Sequence, residues 1–236
     1  MPWVAGVDGC RAGWIVVLVE QHAAATQVPE VRLCTGFEAV LTLEPVPVVI
    51  AVDMPIGLLD LPQPGGRTCD RQARQLLGRR ASSVFSPPGR CILDATQYDQ
   101  VRRHGMSRQA FGILPKIREV DRLLTPALQQ RVYEAHPELA FRSLTGSPMQ
   151  HNKKTPAGRA ERLQTLASLL AVRLQTLQRT ITQLHKPFRR TQVAPDDLLD
   201  AYVLTRTACR IATGQAHCVP SIPPVDSRGL RMEIWF

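Results

Sequence analysis

The sequence predicts an α/β protein in one domain, residues 1–236: a mixed five-stranded sheet, three antiparallel strands and then parallel strands, flanked by helices, with a helical insertion around residues 60–127. Three observations predict it. Hydrophobic periodicity runs in the order β-β-β-α-β over the first fifty residues. Val46–Val52 is apolar and largely β-branched without alternation, the pattern of a strand buried on both faces. Beyond it, apolar residues recur at helical spacing.

The elements follow in order. Trp3–Val7 is an apolar run ending at Asp8, Gly9–Gly13 reads as a turn, and Trp14–Val19 as a second strand, so the two form an antiparallel hairpin. Glu30–Cys34 is a third strand, and Phe37–Leu43 carries helical spacing. The central strand ends at Asp53-Met54-Pro55-Ile56-Gly57, where Pro and Gly force an exit. A meander followed by a helix and a buried parallel strand is not a Rossmann opening. It is the order of the ribonuclease H-like fold. Further on, Cys69–Leu77 reads as a helix stopped by Gly78, Ser82–Arg90 with Pro87-Pro88-Gly89 as loop, and Gln97–His104 and Gln109–Leu124 as helices, the second kinked at Pro115. Arg131–Ala135 is a short strand, and Pro137 opens a helix. Ala157–Leu184 reads as one long amphipathic helix with Leu163, Leu166, Leu170, Leu174, Leu177 and Ile181 as its stripe. Pro195 opens the last helix, which runs to about Ala212.

Composition narrows the function classes. Hydrophobic residues are 44 % and charged residues 21 %, ordinary for a globular chain. The apolar runs are strand-length, and Met1-Pro2-Trp3 opens no signal peptide, so a cytoplasmic protein without a membrane partner is expected. Cysteines 10, 34, 69, 91, 209 and 218 make no C-x-x-C pair, which speaks for free thiols and against a zinc knuckle. The net charge is +9. Arg67–Arg90 holds six arginines and one acid, and His151–Gln192 nine basic residues and one acid. Such surface attracts phosphate backbones, although a merely solvated basic face would look the same.

The acids carry the chemistry because of where they fall. Asp8 and Asp53 end strands, Glu134 ends the third candidate core strand, and Asp196, Asp197 and Asp200 open the last helix. Strand ends of an α/β sheet converge on one crevice, and residues three or four apart share a helical face. Crowded carboxylates need protons or cations, and hard oxygen donors select Mg²⁺ or Mn²⁺. Two such ions about 4 Å apart would clamp the attacking water and leaving oxygen of a phosphodiester. Blander roles exist for each: a turn residue at Asp8, a loop cap at Asp53, an arginine partner at Glu134, helix-dipole acids at Asp196 and Asp197.

Several segments together resemble one family. Val4-Ala5-Gly6-Val7-Asp8-Gly9-Cys10-Arg11-Ala12-Gly13-Trp14 looks like the opening motif of the DUF429 family. Ala51–Gly57, Cys69-Asp70 through Ser82-Ser83-Val84-Phe85, Ile113–Asp121, Val132–Glu138, Lys153–Arg159 and Asp196–Ala201 resemble it in the same order. The resemblance implies a ribonuclease H-like fold and a metal-dependent nuclease site. Asp8, Asp53, Glu134, Asp197 and Asp200 would be its catalytic acids and metal ligands, with Mg²⁺ or Mn²⁺ as cofactor.

Around them, Arg11, Arg67, Arg71, Arg74, Arg79, Arg80, Lys116, Lys153, Lys154 and Arg159 are the candidate nucleic-acid contacts. Lys116, Arg118, Glu119 and Asp121 cluster on one helix, where surface pairing competes with a site-lining role. His136, two residues after Glu134, would share its side of a continuing strand, as a structural histidine or a proton shuttle. Ser82, Ser83 and Ser86 have no base partner that would make them nucleophiles. Three readings follow: a metal-dependent nuclease, an ATP-dependent phosphotransferase of the actin and sugar-kinase type, or a non-catalytic nucleic-acid-binding module. The second lacks a second glycine-rich hairpin. Nucleic acid of unspecified type is the expected partner, and a homodimer is compatible with the sequence.

Overall fold

The computed structural model describes residues 2–21, 28–102, 104 and 106–236. Its centre is a five-stranded mixed sheet in the order β3-β2-β1-β4-β5. β1 (Trp3–Cys10), β2 (Gly13–Glu20) and β3 (Glu30–Cys34) form the antiparallel meander. β4 (Pro47–Val52) lies parallel to β1, and β5 (Val132–Glu134) parallel to β4. The α/β architecture read from the sequence is therefore present. The hairpin is longer than expected, because Gly9 and Cys10 still pair with Trp14 and Gly13. Asp8 thus lies inside β1 rather than at its end.

Helices cover both faces. On one, α1 (Phe37–Leu41) and α4 (Arg108–Leu123) pack on Ala5, Val7, Val16, Ile50 and Val52 through Phe37, Val40, Leu114, Ile117 and Val120. Trp14 is fully buried here, edge-on to Phe37 at 4.9 Å, an arrangement worth about 1 kcal/mol beyond burial. Its indole N–H donates to Glu119 Oε2 at 3.0 Å. On the other face lie α5 (Pro137–Thr145), α6 (Pro156–Leu169), α7 (Leu174–His185) and α8 (Pro195–Ala212). α2 (Thr68–Leu77) packs with a small C-terminal sheet of β6 (Cys218–Val219) and β7 (Ile234–Trp235). α3 (Tyr98–Arg102) is shorter than the expected Gln97–His104, whose residue 103 lies outside the described residues.

One helix expected over Ala157–Leu184 is two. The chain breaks at Ala171, where φ is +51°, and α7 restarts at Leu174. Leu163, Leu166, Leu170, Leu177 and Ile181 are nevertheless all buried in one core. Both halves face the same layer, so the apolar spacing runs on across the break.

α8 is the buried helix that positions the site. It crosses β1 at Gly6, where a methyl group would overlap the Ala201 carbonyl and the Thr205 amide. Only glycine admits so close an approach. Among the described residues no helix is long and apolar enough to cross a membrane. The six cysteines are free thiols.

Candidate functional site

The alternation of side chains along a strand sets the site. Val7 pairs with Val52 across β1 and β4, and both face α1 and α4. Asp8 and Asp53 come next in the two strands and turn to the α8 side, next to one another. The Asp53 N–H donates to the Val7 carbonyl at 2.9 Å and holds this register. The tight crossing at Gly6 places Asp200, one residue before Ala201, against the same spot.

Asp8, Asp53 and Asp200 border one cavity of about 770 Å³. Asp8 is 8 % exposed and Asp200 1 %. Lys153, in the loop before α6, donates from Nζ to Asp200 Oδ2 at 2.5 Å. Three carboxylates thus face one ammonium. Burial pushes Asp8 well above the usual carboxylate range, and the charges of Asp53 and Asp200 push it further. Burial also raises Asp53 and lifts Asp200 to about 6, although Lys153 pulls both down. Burial alone would depress the Lys153 ammonium, but Asp200, Asp8 and Asp53 overrule it and hold it above its ordinary range. Among the described residues, the carboxylates of Asp8 and Asp53 accept no side-chain or backbone hydrogen bond.

Asp197 lies one turn earlier on α8, half-buried. It accepts the Ala194 N–H at 2.8 Å and caps the helix, yet its charge still reaches Asp8. Asp196 faces a separate cavity of about 320 Å³ behind Lys153.

Glu134 is not part of this gathering. Glu134 pairs with Val52, so it turns to the opposite face from Asp8 and Asp53. There Arg67 grips it with Nη2 at 2.6 Å and Nη1 at 2.8 Å, and the Ile56 N–H adds a third bond at 2.7 Å. Arg67 also binds Asp70 at 2.7 Å and the carbonyls of Ile56 and Gly57. With Arg67 2 % exposed, the expectation that it contacts nucleic acid is overturned: its donors are spent and no phosphate can reach them.

His136 does not join Glu134 but borders the cavity of Asp8 and Asp53. Glu138, a residue the sequence reading did not single out, borders the same cavity. Glu138 sits in the first turn of α5, where an acid is ordinarily a dipole partner. Its Oε1 accepts from Arg80 at 2.8 Å and Arg162 at 2.5 Å. Glu138 is 5 % exposed, and its Oε2 is buried without a partner. His136 Nε2 meets the Ser83 carbonyl at 3.2 Å, so that nitrogen carries the proton. Nδ1 is also buried and unpartnered. The signal in the sequence was the spacing His136-Pro137-Glu138 straight after a strand end.

The other cations divide. Arg11, Arg80, Lys116, Lys153 and Lys154 border the large cavity. Lys116 also donates to the Gly13 carbonyl at 2.6 Å and lies 4.6 Å over the Trp14 ring. Arg71 and Arg74 brace their own loop, bonding the carbonyls of Gly66, Gly65 and Val84. Arg79 is exposed in the 3₁₀ turn Gly78–Ser83 after α2 and does not line the cavity, and Arg159 borders the smaller one. From the Arg118 cluster only Lys116 reaches the site. Arg118 bonds the carbonyls of Leu93 and Ala95, and Asp121 pairs with Arg90 and Arg228.

The donor set suits a hard divalent cation. Among the described residues no three His, Cys, Asp or Glu side chains converge closely enough to cage a metal. Mg²⁺ needs no such cage, since it is usually held by one or two carboxylates together with waters and substrate phosphate. Asp8 and Asp53 are such a pair, and with all acids ionised the one Lys153 ammonium would face three carboxylates. No curated protein and no solved structure matches the chain. A family profile described as Protein of unknown function (DUF429) matches residues 6–225. The chain therefore belongs to the DUF429 family.

Proposed function

We propose that the protein is a metal-dependent phosphodiesterase of the ribonuclease H-like type that acts on nucleic acid. One observation carries the reading: the buried Asp8 and Asp200 and the half-buried Asp53 line one cavity that Arg11, Lys116 and Lys154 also border. The sheet order supports it, because neighbouring parallel strands deliver Asp8 and Asp53 to the same side.

In this reading Asp8 and Asp53 hold Mg²⁺ or Mn²⁺. When bound, the cation supplies Lewis-acid charge and lowers the pKa of water. Arg11, Lys116 and Lys154 hold the phosphate chain in register, which needs no base contact. His136, oriented by the Ser83 carbonyl, presents its unpartnered Nδ1 at the cavity. Asp200 keeps Lys153 pointed at the acids.

The test is a cleavage assay with Mg²⁺ or Mn²⁺ over single-stranded, duplex, hybrid and branched substrates, with Asp8→Asn and Asp53→Asn alongside. Cation-dependent cleavage lost in both variants is expected. Cleavage that survives both overturns the reading. A second reading, a non-catalytic nucleic-acid-binding module, is favoured by the Lys153 ammonium, which already offsets part of the charge. It expects nucleic-acid binding indifferent to divalent cations.

A further inference from the structure

Lys153 stands where a cation is wanted. Its Nζ is 2.5 Å from Asp200 Oδ2, and its charge also acts on Asp8 and Asp53. The backbone before it is pinned. Glu161 accepts the N–H groups of Gln150 at 2.7 Å and His151 at 2.9 Å. Arg162 donates to the His151 carbonyl at 3.2 Å. At Gly158 a methyl group would overlap the Asn152 carbonyl, so α6 lies directly on this loop.

The side chain itself is freer. It is 33 % exposed where Asp200 is 1 %, and its four-carbon stem is flexible. Lys153 borders both the large cavity and the one of about 320 Å³ behind it, the latter shared with Asp196 and Arg159. The ammonium therefore has room to leave Asp200 without moving the chain. One ammonium also falls short of the demand around it. Glu138 is 5 % exposed and borders the same cavity with an unpartnered acceptor, Oε2, and His136 Nδ1 is buried there without a partner. The site has acceptors left over for a further cation, yet a divalent ion placed on Asp8 and Asp53 would be repelled by Lys153 as it stands.

We propose that Lys153 is an internal counter-ion: it opposes divalent metal at Asp8 and Asp53 until a phosphodiester anion draws its ammonium off Asp200. Metal and phosphodiester then bind cooperatively. By linkage each raises the affinity of the other by the same factor. In the absence of substrate the chain stays largely metal-poor, which restrains hydrolysis of adventitious esters. This inference rests on the metal role given above to Asp8 and Asp53.

The experiment measures Mn²⁺ affinity of the full chain by the electron paramagnetic resonance signal of free Mn²⁺. It compares the native chain, Lys153→Met, Lys153→Arg and Asp53→Asn, each with and without dimethyl phosphate at matched ionic strength. Dimethyl phosphate is an inert phosphodiester anion that scarcely chelates Mn²⁺. Lys153→Met is expected to bind Mn²⁺ about tenfold tighter than the native chain without any anion. Dimethyl phosphate should tighten Mn²⁺ binding to the native chain and leave Lys153→Met unchanged. Lys153→Arg keeps the charge and should bind like the native chain. Equal or weaker Mn²⁺ binding by Lys153→Met overturns the proposal, as does an Arg variant that behaves like Met. If the native chain binds Mn²⁺ and Asp53→Asn does not while Lys153→Met matches the native chain, only the counter-ion role falls. Failure of every variant to bind Mn²⁺ overturns the metal reading with it.

Discussion

Two clusters of acids stand on opposite faces of the sheet, one on Asp8 of β1 and Asp53 after β4, the other on Glu134 of β5, and they are built to different ends. Around Arg67, Glu134 and Asp70 meet a planar guanidinium, and backbone N–H groups of Ile56 and Arg67 complete the bonding. Around Lys153, three carboxylates meet a single-point ammonium, and Asp8 and Asp53 accept no hydrogen bond among the described residues. The first holds the Ile56–Gly57 exit of β4 and the start of α2 together. The second leaves charge uncompensated beside a cavity. A buried acid whose oxygens are all taken is structural, whereas buried acids with oxygens to spare are poised for something from outside.

The comparison breaks most visibly at its anchor. Arg67→Met should destabilise the fold by about 3–5 kcal/mol, because it strands two buried carboxylates. Urea unfolding measures this, and a loss near zero would remove the distinction between the clusters. Asp8→Asn or Asp53→Asn should act in the opposite sense. Cation-dependent cleavage falls at least ~100-fold, about 2.7 kcal/mol of barrier, while the unfolding midpoint does not drop, since a crowded charge has been removed. A variant that loses activity and stability together would place Asp8 or Asp53 in the same class as Glu134.

The difference between the clusters was only half legible in the sequence. Asp8 and Asp53 could be read as neighbours because each ends an apolar run belonging to a parallel pair. Glu134 ends such a run too, but the face it takes depends on register. A slip of one residue reverses every side chain, and nothing in Val132-Tyr133-Glu134 fixes the pairing with β4. Arg67 read as surface charge because, although Asp70 is three residues away, its second carboxylate partner, Glu134, is 67 residues away and only the fold buries the pair. Lys153 read as a phosphate contact for a similar reason: only the packing of α6 on its loop aims it at Asp200. The break at Ala171 was hidden because α6 and α7 bury leucines in one core, so the stripe continued where the helix did not.

Gly6 sharpens the comparison because it serves one cluster alone. Gly6→Ala must push α8 away from β1, and overpacking of this kind costs about 1–3 kcal/mol. The displacement carries Asp200 and its negative charge away from Asp8, while Lys153 stays on the loop that α6 holds and the Arg67 cluster on the other face stays in place. Weakened Mn²⁺ binding in the folded variant, measured by titration below its unfolding temperature, is expected. Unchanged Mn²⁺ affinity would mean that α8 does not set the geometry of the acids.

The smallest effect is electrostatic and separates the clusters by pH. Asp200 sits at about 6 in the fold against an ordinary value of 3.8, chiefly through burial. The folded chain therefore holds its proton more tightly than the unfolded chain does. Below the ordinary value both states are protonated and the site contributes its full stability. As pH rises toward and through 6 the folded state must ionise a buried acid, and that contribution is lost. Asp8 and Asp53, raised by the same cause, add in the same direction. The metal-free protein should thus lose a few °C of thermal midpoint between roughly pH 4 and 6.5, and Mn²⁺ should restore it by replacing the proton. In Asp200→Asn the slope should flatten, because an amide has no proton to yield. A slope equally steep in Asp200→Asn would assign the pH dependence to other groups and leave the acid cluster no more poised than its counterpart around Arg67.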